Sequence, residues 1–218
     1  LPHGTLRAWV VGVVHVVQHP LVQAELTGLR CRSCPGPEFR QRLRRIAALM
    51  VPAVTADFET KVISCETPLE VTSGVEMTRR VILTPILRAG LGFLDGFFDL
   101  LPDAAIAHIG LARNEETLQP EPYYLKTPPT LADSEVIVID PMLATGGSAV
   151  EAVKRLVELG ATRLRYACLV ASPEGIATFE DAWPEVPIFT AAIDRGLNDR
   201  GYILPGLGDA GDRLFGTA

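Results

Sequence analysis

Along this chain, short apolar runs rich in branched residues alternate with stretches whose apolar positions recur every three or four residues. Val81 to Ile86, Ala105 to Ala112, Val136 to Ile139, Arg163 to Ala171 and Ile188 to Ile193 are mostly apolar throughout. A strand with one wet face alternates apolar and polar, whereas a strand covered on both faces does not. Between these runs, Leu91 to Leu101, Ser148 to Leu159 and Glu174 to Trp183 read as helices. Strand and helix in alternation is the order that right-handed crossovers require. The pattern therefore predicts an α/β protein with a parallel core sheet.

Glu38 to Met50 places Phe39, Leu43, Ile46, Ala47 and Met50 at helical spacing with four arginines among them, the pattern of an amphipathic surface helix. Two regions break the alternation: the segment before Val81, and the Gly- and Asp-rich tail from Gly196 to Ala218. They are expected to pack together or beside the sheet as a cap. Gly and Pro divide the chain into about nine elements without an internal repeat.

The 218 residues, 48% apolar and 21% charged, suffice for a single domain over 1–218 with a real core, which excludes small disulfide scaffolds and disordered chains. A net charge of −6 argues against a sequence-independent grip on nucleic acid. The longest strongly apolar run, the nine residues Trp9 to Val17, falls well short of the roughly 20 that span a bilayer. It lacks a basic leader and a convincing cleavage site, so no membrane and a cytoplasmic location are expected. Cys31, Cys34, Cys65 and Cys168 are scattered as reduced thiols would be.

The most informative stretch is VIVIDPMLATGGS, Val136 to Ser148: an apolar strand, an acid, a Gly-rich turn and a helix. Ala144, Thr145, Gly146, Gly147 and Ser148 are small enough for successive backbone N–H groups to face one concavity at a helix N-terminus, which suits a phosphate. Asp140 lies where open α/β sheets bind ligands, and its carboxylate suits ribose hydroxyls. An ordinary βα loop is the plain alternative. Arg88, in ILRAG, and Arg113, in LARNEETL, each follow an apolar run and offer a guanidinium fork to phosphate, or else a surface ion pair.

Gly206, Gly208 and Gly211 satisfy G-x-G-x-x-G, but no suitable strand precedes them and no βαβ unit can follow, so a backbone-lined pocket is the better reading. No G-x-x-x-x-G-K-[ST] loop occurs. His15, His19, Cys31 and Cys34 have zinc-ligand spacings in the reverse of the usual order, with His19 before Pro20 at an expected helix start, so zinc is disfavoured. A redox C-x-x-C lacks its usual surroundings.

Four motifs in order, TPILRAGLGFLDG, HIGLARNEETLQP, VIVIDPMLATGGSA and GYILPGLGDAGDRLFGT, resemble those of the uracil phosphoribosyltransferases from about His19 to the C-terminus. The resemblance implies the type I phosphoribosyltransferase fold, a central mostly parallel sheet flanked by helices with a small hood. It implies the reaction of uracil with phosphoribosyl diphosphate (PRPP) to give UMP and diphosphate, in pyrimidine salvage. It carries PRPP binding onto Arg88, Arg113, Asp140, Pro141, Met142, Leu143, Ala144, Thr145, Gly146, Gly147, Ser148 and Asp209. Uracil contacts fall on Ile203, Gly208, Asp209 and Ala210, and Asp140, Arg113 and Asp209 are the expected catalytic residues. The tail 196–218 becomes the uracil-binding hood, and 1–17 a variable extension or arm.

Mg²⁺ is expected through PRPP and water, because Asp140 is followed by Pro141 where many phosphoribosyltransferases pair two acids. The resemblance also implies a homo-oligomer, a dimer or higher, and in some members a GTP effector. Asn114 stands where an acid usually follows the arginine, which removes a charge beside the diphosphate site; the CRSCPG turn and Thr84 are further departures. Glu121 to Pro129, EPYYLKTPP, reads equally as a flexible arm carrying Lys126 to the phosphates or as a structural hairpin. The alternatives are a phosphoribosyltransferase for another base, an RNA-binding pyrimidine attenuation regulator on the same fold, and a catalytically silent relative. Twenty-six acids dilute the arginines that an RNA face would need.

Overall fold

A computed structural model describes residues 14–113 and 120–217. The first half contains β1 (Val14–Val16), α1 (Pro20–Arg30), α2 (Gly36–Val54), β2 (Thr60–Glu66), β3 (Val71–Met77), β4 (Arg80–Leu87), α3 (Gly90–Phe98), β5 (Ala105–Ile106) and β6 (His108–Arg113). The second contains β7 (Pro120–Lys126), β8 (Ser134–Leu143), α4 (Gly147–Glu158), β9 (Leu164–Ala171), α5 (Pro173–Ala182), β10 (Ile188–Ile193), β11 (Gly196–Leu197), β12 (Ile203–Leu204) and α6 (Ala210–Phe215).

The main sheet has eight strands in the order β1, β10, β9, β8, β4, β6, β7, with β5 beside β4. All its pairings are parallel except the antiparallel β6–β7 pair. Both faces are covered, which is why its strands read as unbroken apolar runs. On β8, Ile137 and Ile139 pack towards α1, α2 and α3, while Val136 and Val138 pack towards α4 and α5.

The five expected strands and the crossover helices form within a few residues of the expected bounds. The run Ala105 to Ala112 is split, because the chain pairs with β4 twice and leaves Ala107 between, its N–H on Leu83 O at 3.0 Å. The Glu38 to Met50 helix is longer, runs past Pro52 in its last turn, and buries Phe39, Leu43, Ile46, Ala47, Met50, Val51 and Val54. With α1 and α3 it forms a full layer on the sheet rather than part of a cap.

The tail does pack on this N-terminal region. Arg213 donates to Cys31 O at 2.8 Å, Arg40 donates to Leu214 O at 2.8 Å, and the Arg213 guanidinium lies 4.3 Å from the Phe39 ring centre. Residues 14–16 of the expected N-terminal extension belong to the main sheet, against β10; residues 1–13 lie outside the described residues. His19 is the N-cap of α1, accepting the Leu21 N–H at its ring nitrogen, and His15 stacks on Phe189. All four cysteines are free.

EPYYLKTPP contributes β7, so the hairpin is what forms. Lys126 pairs in register with His108 at the start of β6, the end opposite Arg113. The expectation that Lys126 reaches the phosphates is therefore corrected: it lines a separate cleft with Arg80 and His108. A β2–β3 ribbon, absent from the sequence reading, stands apart from the main sheet with Val62, Val71 and Val75 exposed.

Candidate active site

Parallel strands all end at one edge, so the loops after β4, β6 and β8 gather there. The loop after β8 is the best defined. Gly146, at φ +85°, is the N-cap of α4 and brings no side-chain hydrogen bond to its first turn. The N–H groups at that helix start remain for a ligand, and the helix dipole favours an anion. Glycine is required at 146, since a Cβ would sit 2.9 Å from both Gly175 O and Thr178 Cβ.

The loop is held from beneath by the start of α5. Ser172 is fully buried; its hydroxyl donates to Ala144 O at 2.6 Å and accepts the Gly175 N–H at 2.9 Å, while its own N–H bonds Leu143 O at 2.9 Å. A Cβ on Gly175 would collide with Ala144 O. The sequence reading missed Ser172, although SPEG carries an N-cap serine, a proline at the first helical position and a glycine for close approach.

Asp140 lies on β8 opposite Cys168, with Pro141, Met142 and Leu143 completing the strand. Pro141 and Leu143 are buried, so they would meet a ligand only through backbone. Burial pushes the Asp140 carboxyl up to about 7, with only the Met142 N–H at 3.5 Å counted against it. Burial likewise raises the Tyr166 hydroxyl well above its ordinary value and pushes the Cys168 thiol up to about 12, so both stay neutral on the same sheet face.

Several loops converge on this edge. Gly90, opening α3, is pressed against β8, where a Cβ would stand 2.7 Å from Ile139 O; this seats the Arg88 turn beside Asp140. Arg88 is exposed after a cis peptide, with its guanidinium 5.9 Å from the Phe215 ring centre of α6. Gly201, between β11 and β12, lies against Thr145, with a built Cβ 3.6 Å from Thr145 Cγ2. Glu174 of α5 accepts the Leu197 N–H of β11 at 3.1 Å; the backbone N–H groups around this carboxylate lower its pKa.

In the tail, Ile203 is buried, Gly208 is exposed at φ +75°, and Ala210 is buried at the start of α6. Asp209 is the N-cap of that helix, Oδ1 accepting the Asp212 N–H at 2.9 Å. No βαβ unit surrounds Gly206, Gly208 and Gly211; a two-stranded ribbon and a short helix do. The backbone of Arg113 ends β6 at the same sheet edge; its side chain and Asn114 lie outside the described residues.

A covered parallel sheet with a glycine-capped loop and an acid at its carboxyl edge, and a tail against that loop, is the build of a type I phosphoribosyltransferase. A solved hypoxanthine-guanine phosphoribosyltransferase from Bacillus anthracis shares this fold, with a TM-score of 0.50 at 13% identity over 73% of this chain and 80% of that one. A much nearer solved structure is the AQ2163 protein from Aquifex aeolicus, with a TM-score of 0.89 at 32% identity, covering 94% of this chain and 99% of that one.

The chain belongs to the uracil phosphoribosyltransferase family, whose pattern it matches over residues 16–217. Among its relatives are the uracil phosphoribosyltransferases of Acidovorax sp. (strain JS42), 53% identical over 94% of this chain and 98% of that protein, and of Rhodococcus jostii (strain RHA1), 50% identical over 95% and 100%.

Proposed function

We propose that this protein is a uracil phosphoribosyltransferase in action as well as in family, converting uracil and PRPP to UMP and diphosphate in pyrimidine salvage. The observation that carries the reading is the juxtaposition of the αL-capped loop at Gly146, Asp140 on the preceding strand, and the Gly-rich tail against Thr145. The 5′-phosphate would lie on the backbone N–H groups from Thr145 to Ser148, the ribose hydroxyls on Asp140, and the diphosphate between Arg88 and Arg113. Uracil presents acceptor, donor and acceptor along O2, N3 and O4. Backbone groups around Gly208 to Ala210 would read that edge, and a base with the wrong pattern would leave buried polar groups unpaired.

In the reaction the C1′–O bond to diphosphate breaks, the N1–C1′ bond forms, and the N1 proton is released. Positive charge develops on the ribose and negative charge on the departing diphosphate, so positioning and electrostatic stabilisation carry catalysis. Asp209 would orient the base or ribose from its cap position.

A single acid before Pro141 supplies too few of the six oxygens that Mg²⁺ requires. Among the described residues no group of three or more His, Cys, Asp or Glu could hold the ion, and Mg²⁺ would arrive on PRPP. The exposed apolar side chains of the β2–β3 ribbon favour a homo-oligomer. The four free thiols suit a reducing, cytoplasmic compartment. GTP is the effector that the family resemblance suggests.

The test is chromatographic detection of UMP from uracil, PRPP and Mg²⁺, with and without GTP, beside cytosine, orotate and hypoxanthine. Uracil-only turnover supports the reading; no turnover with any base overturns it.

A further inference from the structure

Behind the tail loop, a half-buried ion pair holds one residue, Gly206, by both its N–H and its C=O. Arg30 is the last residue of α1, and Asp194 follows β10 directly. They form a two-pronged pair, Nη1 to Oδ2 at 2.7 Å and Nη2 to Oδ1 at 2.6 Å. The same Oδ2 accepts the Gly206 N–H at 2.9 Å, and the same Nη1 donates to Gly206 O at 3.0 Å. Gly206 sits at φ +57°, where a side chain would collide with Ile203 O.

Both partners are fixed independently of the tail. Asp194 is 8% exposed and its N–H bonds Ala171 O at 2.8 Å, which anchors it to the carboxyl edge of β9. Arg30 ends a helix whose Val22, Leu26 and Leu29 are in the core. The pair thus joins α1, the sheet edge and the tail. A two-pronged pair fixes geometry as well as adding energy.

We infer that Arg30 and Asp194 are positioning residues for base recognition: by clamping Gly206 through the peptide groups on either side of it, they set where the backbone from Ile203 to Ala210 meets uracil. The inference rests on the reading that this tail binds the base. Neither residue touches substrate in this account. Their loss moves the loop that reads the base and leaves the phosphate loop, held by Ser172, in place. Uracil binding should therefore weaken far more than PRPP binding, to which this loop brings only Asp209.

The test uses the full-length R30M/D194L double variant, because replacing both partners with apolar residues spares the protein an uncompensated charge at Asp194. The wild type is assayed first for UMP formation; failure there overturns the base-binding reading itself and not the clamp. With an active wild type, the double variant should raise KM for uracil at least tenfold and keep KM for PRPP within twofold. The D194N and R30K variants should show the same split more weakly, at about threefold for uracil, and they carry the test if the double variant does not fold. Unchanged KM for uracil in folded variants overturns the inference. So does a parallel loss of both KM values and kcat, the mark of a merely structural pair.

Discussion

Asp140→Asn removes one titratable group from the sheet edge while keeping side-chain size. Burial raises the Asp140 carboxyl from 3.8 to about 7. The native state therefore holds this proton to higher pH than the unfolded chain does. Where the native state binds more protons, stability falls with rising pH, so this contribution is fully present below about pH 4 and is lost as pH rises to about 7. At about 1.4 kcal/mol per pKa unit, the ceiling is ~4 kcal/mol.

Asp140 retains partial exposure, and solvent screening lowers the expected effect to ~1–3 kcal/mol. Asparagine does not titrate, so urea unfolding of the two proteins should show the variant gaining ~1–3 kcal/mol on the wild type between pH 4 and pH 8. Ligand binding should run the other way. Ribose hydroxyls donate best to the ionised carboxylate, so wild-type affinity for PRPP should rise with pH through about 7 more steeply than the variant's, which follows only the ionisation of the PRPP phosphates. A stability gap that is flat or narrows with pH, or equal pH dependence of PRPP binding, refutes the reasoning.

Gly146→Ala forces a Cβ into a left-handed position against Gly175 O, and should cost ~1–3 kcal/mol in thermal melting while weakening PRPP binding by titration. Ser172→Ala orphans the Gly175 N–H and removes the donor to Ala144 O, so a loss of ~2–4 kcal/mol and a higher KM for PRPP are expected from unfolding and steady-state assays. Arg165→Met, at the other end of the sheet, removes the nearer of the two cations on buried Glu135, at 3.3 Å against 3.8 Å for Arg79, and the donor to Val54 O at 2.6 Å. It should cost ~2–4 kcal/mol in chemical denaturation with KM unchanged for both substrates.

The parallel core was legible because burial on both faces writes continuous apolar runs, and the tight turn at Gly146 because its small residues stand between a strand and a helix. The β2–β3 ribbon was not legible, since residues such as Val62 and Val75 are exposed and their pattern reports no core of this chain. Register decided Lys126: composition placed it near an arm, but only the pairing with His108 reveals which end of β6 it occupies. The supports of the site, Ser172, Arg30 and Asp194, were missed for one reason. Their partners lie 28 and 164 residues away, at Ala144 and across the Arg30–Asp194 pair, and no local spacing reports contacts that distant.

The central claim, that the Gly146 loop and the tail form one product site with separate duties, is tested most directly by amide hydrogen exchange with UMP and with ribose 5-phosphate. UMP should slow exchange in both Thr145 to Ser148 and Gly206 to Ala210, whereas ribose 5-phosphate should slow it mainly in the first segment. Protection of neither segment by UMP, or protection confined to the cleft lined by Arg80, His108 and Lys126, would contradict it.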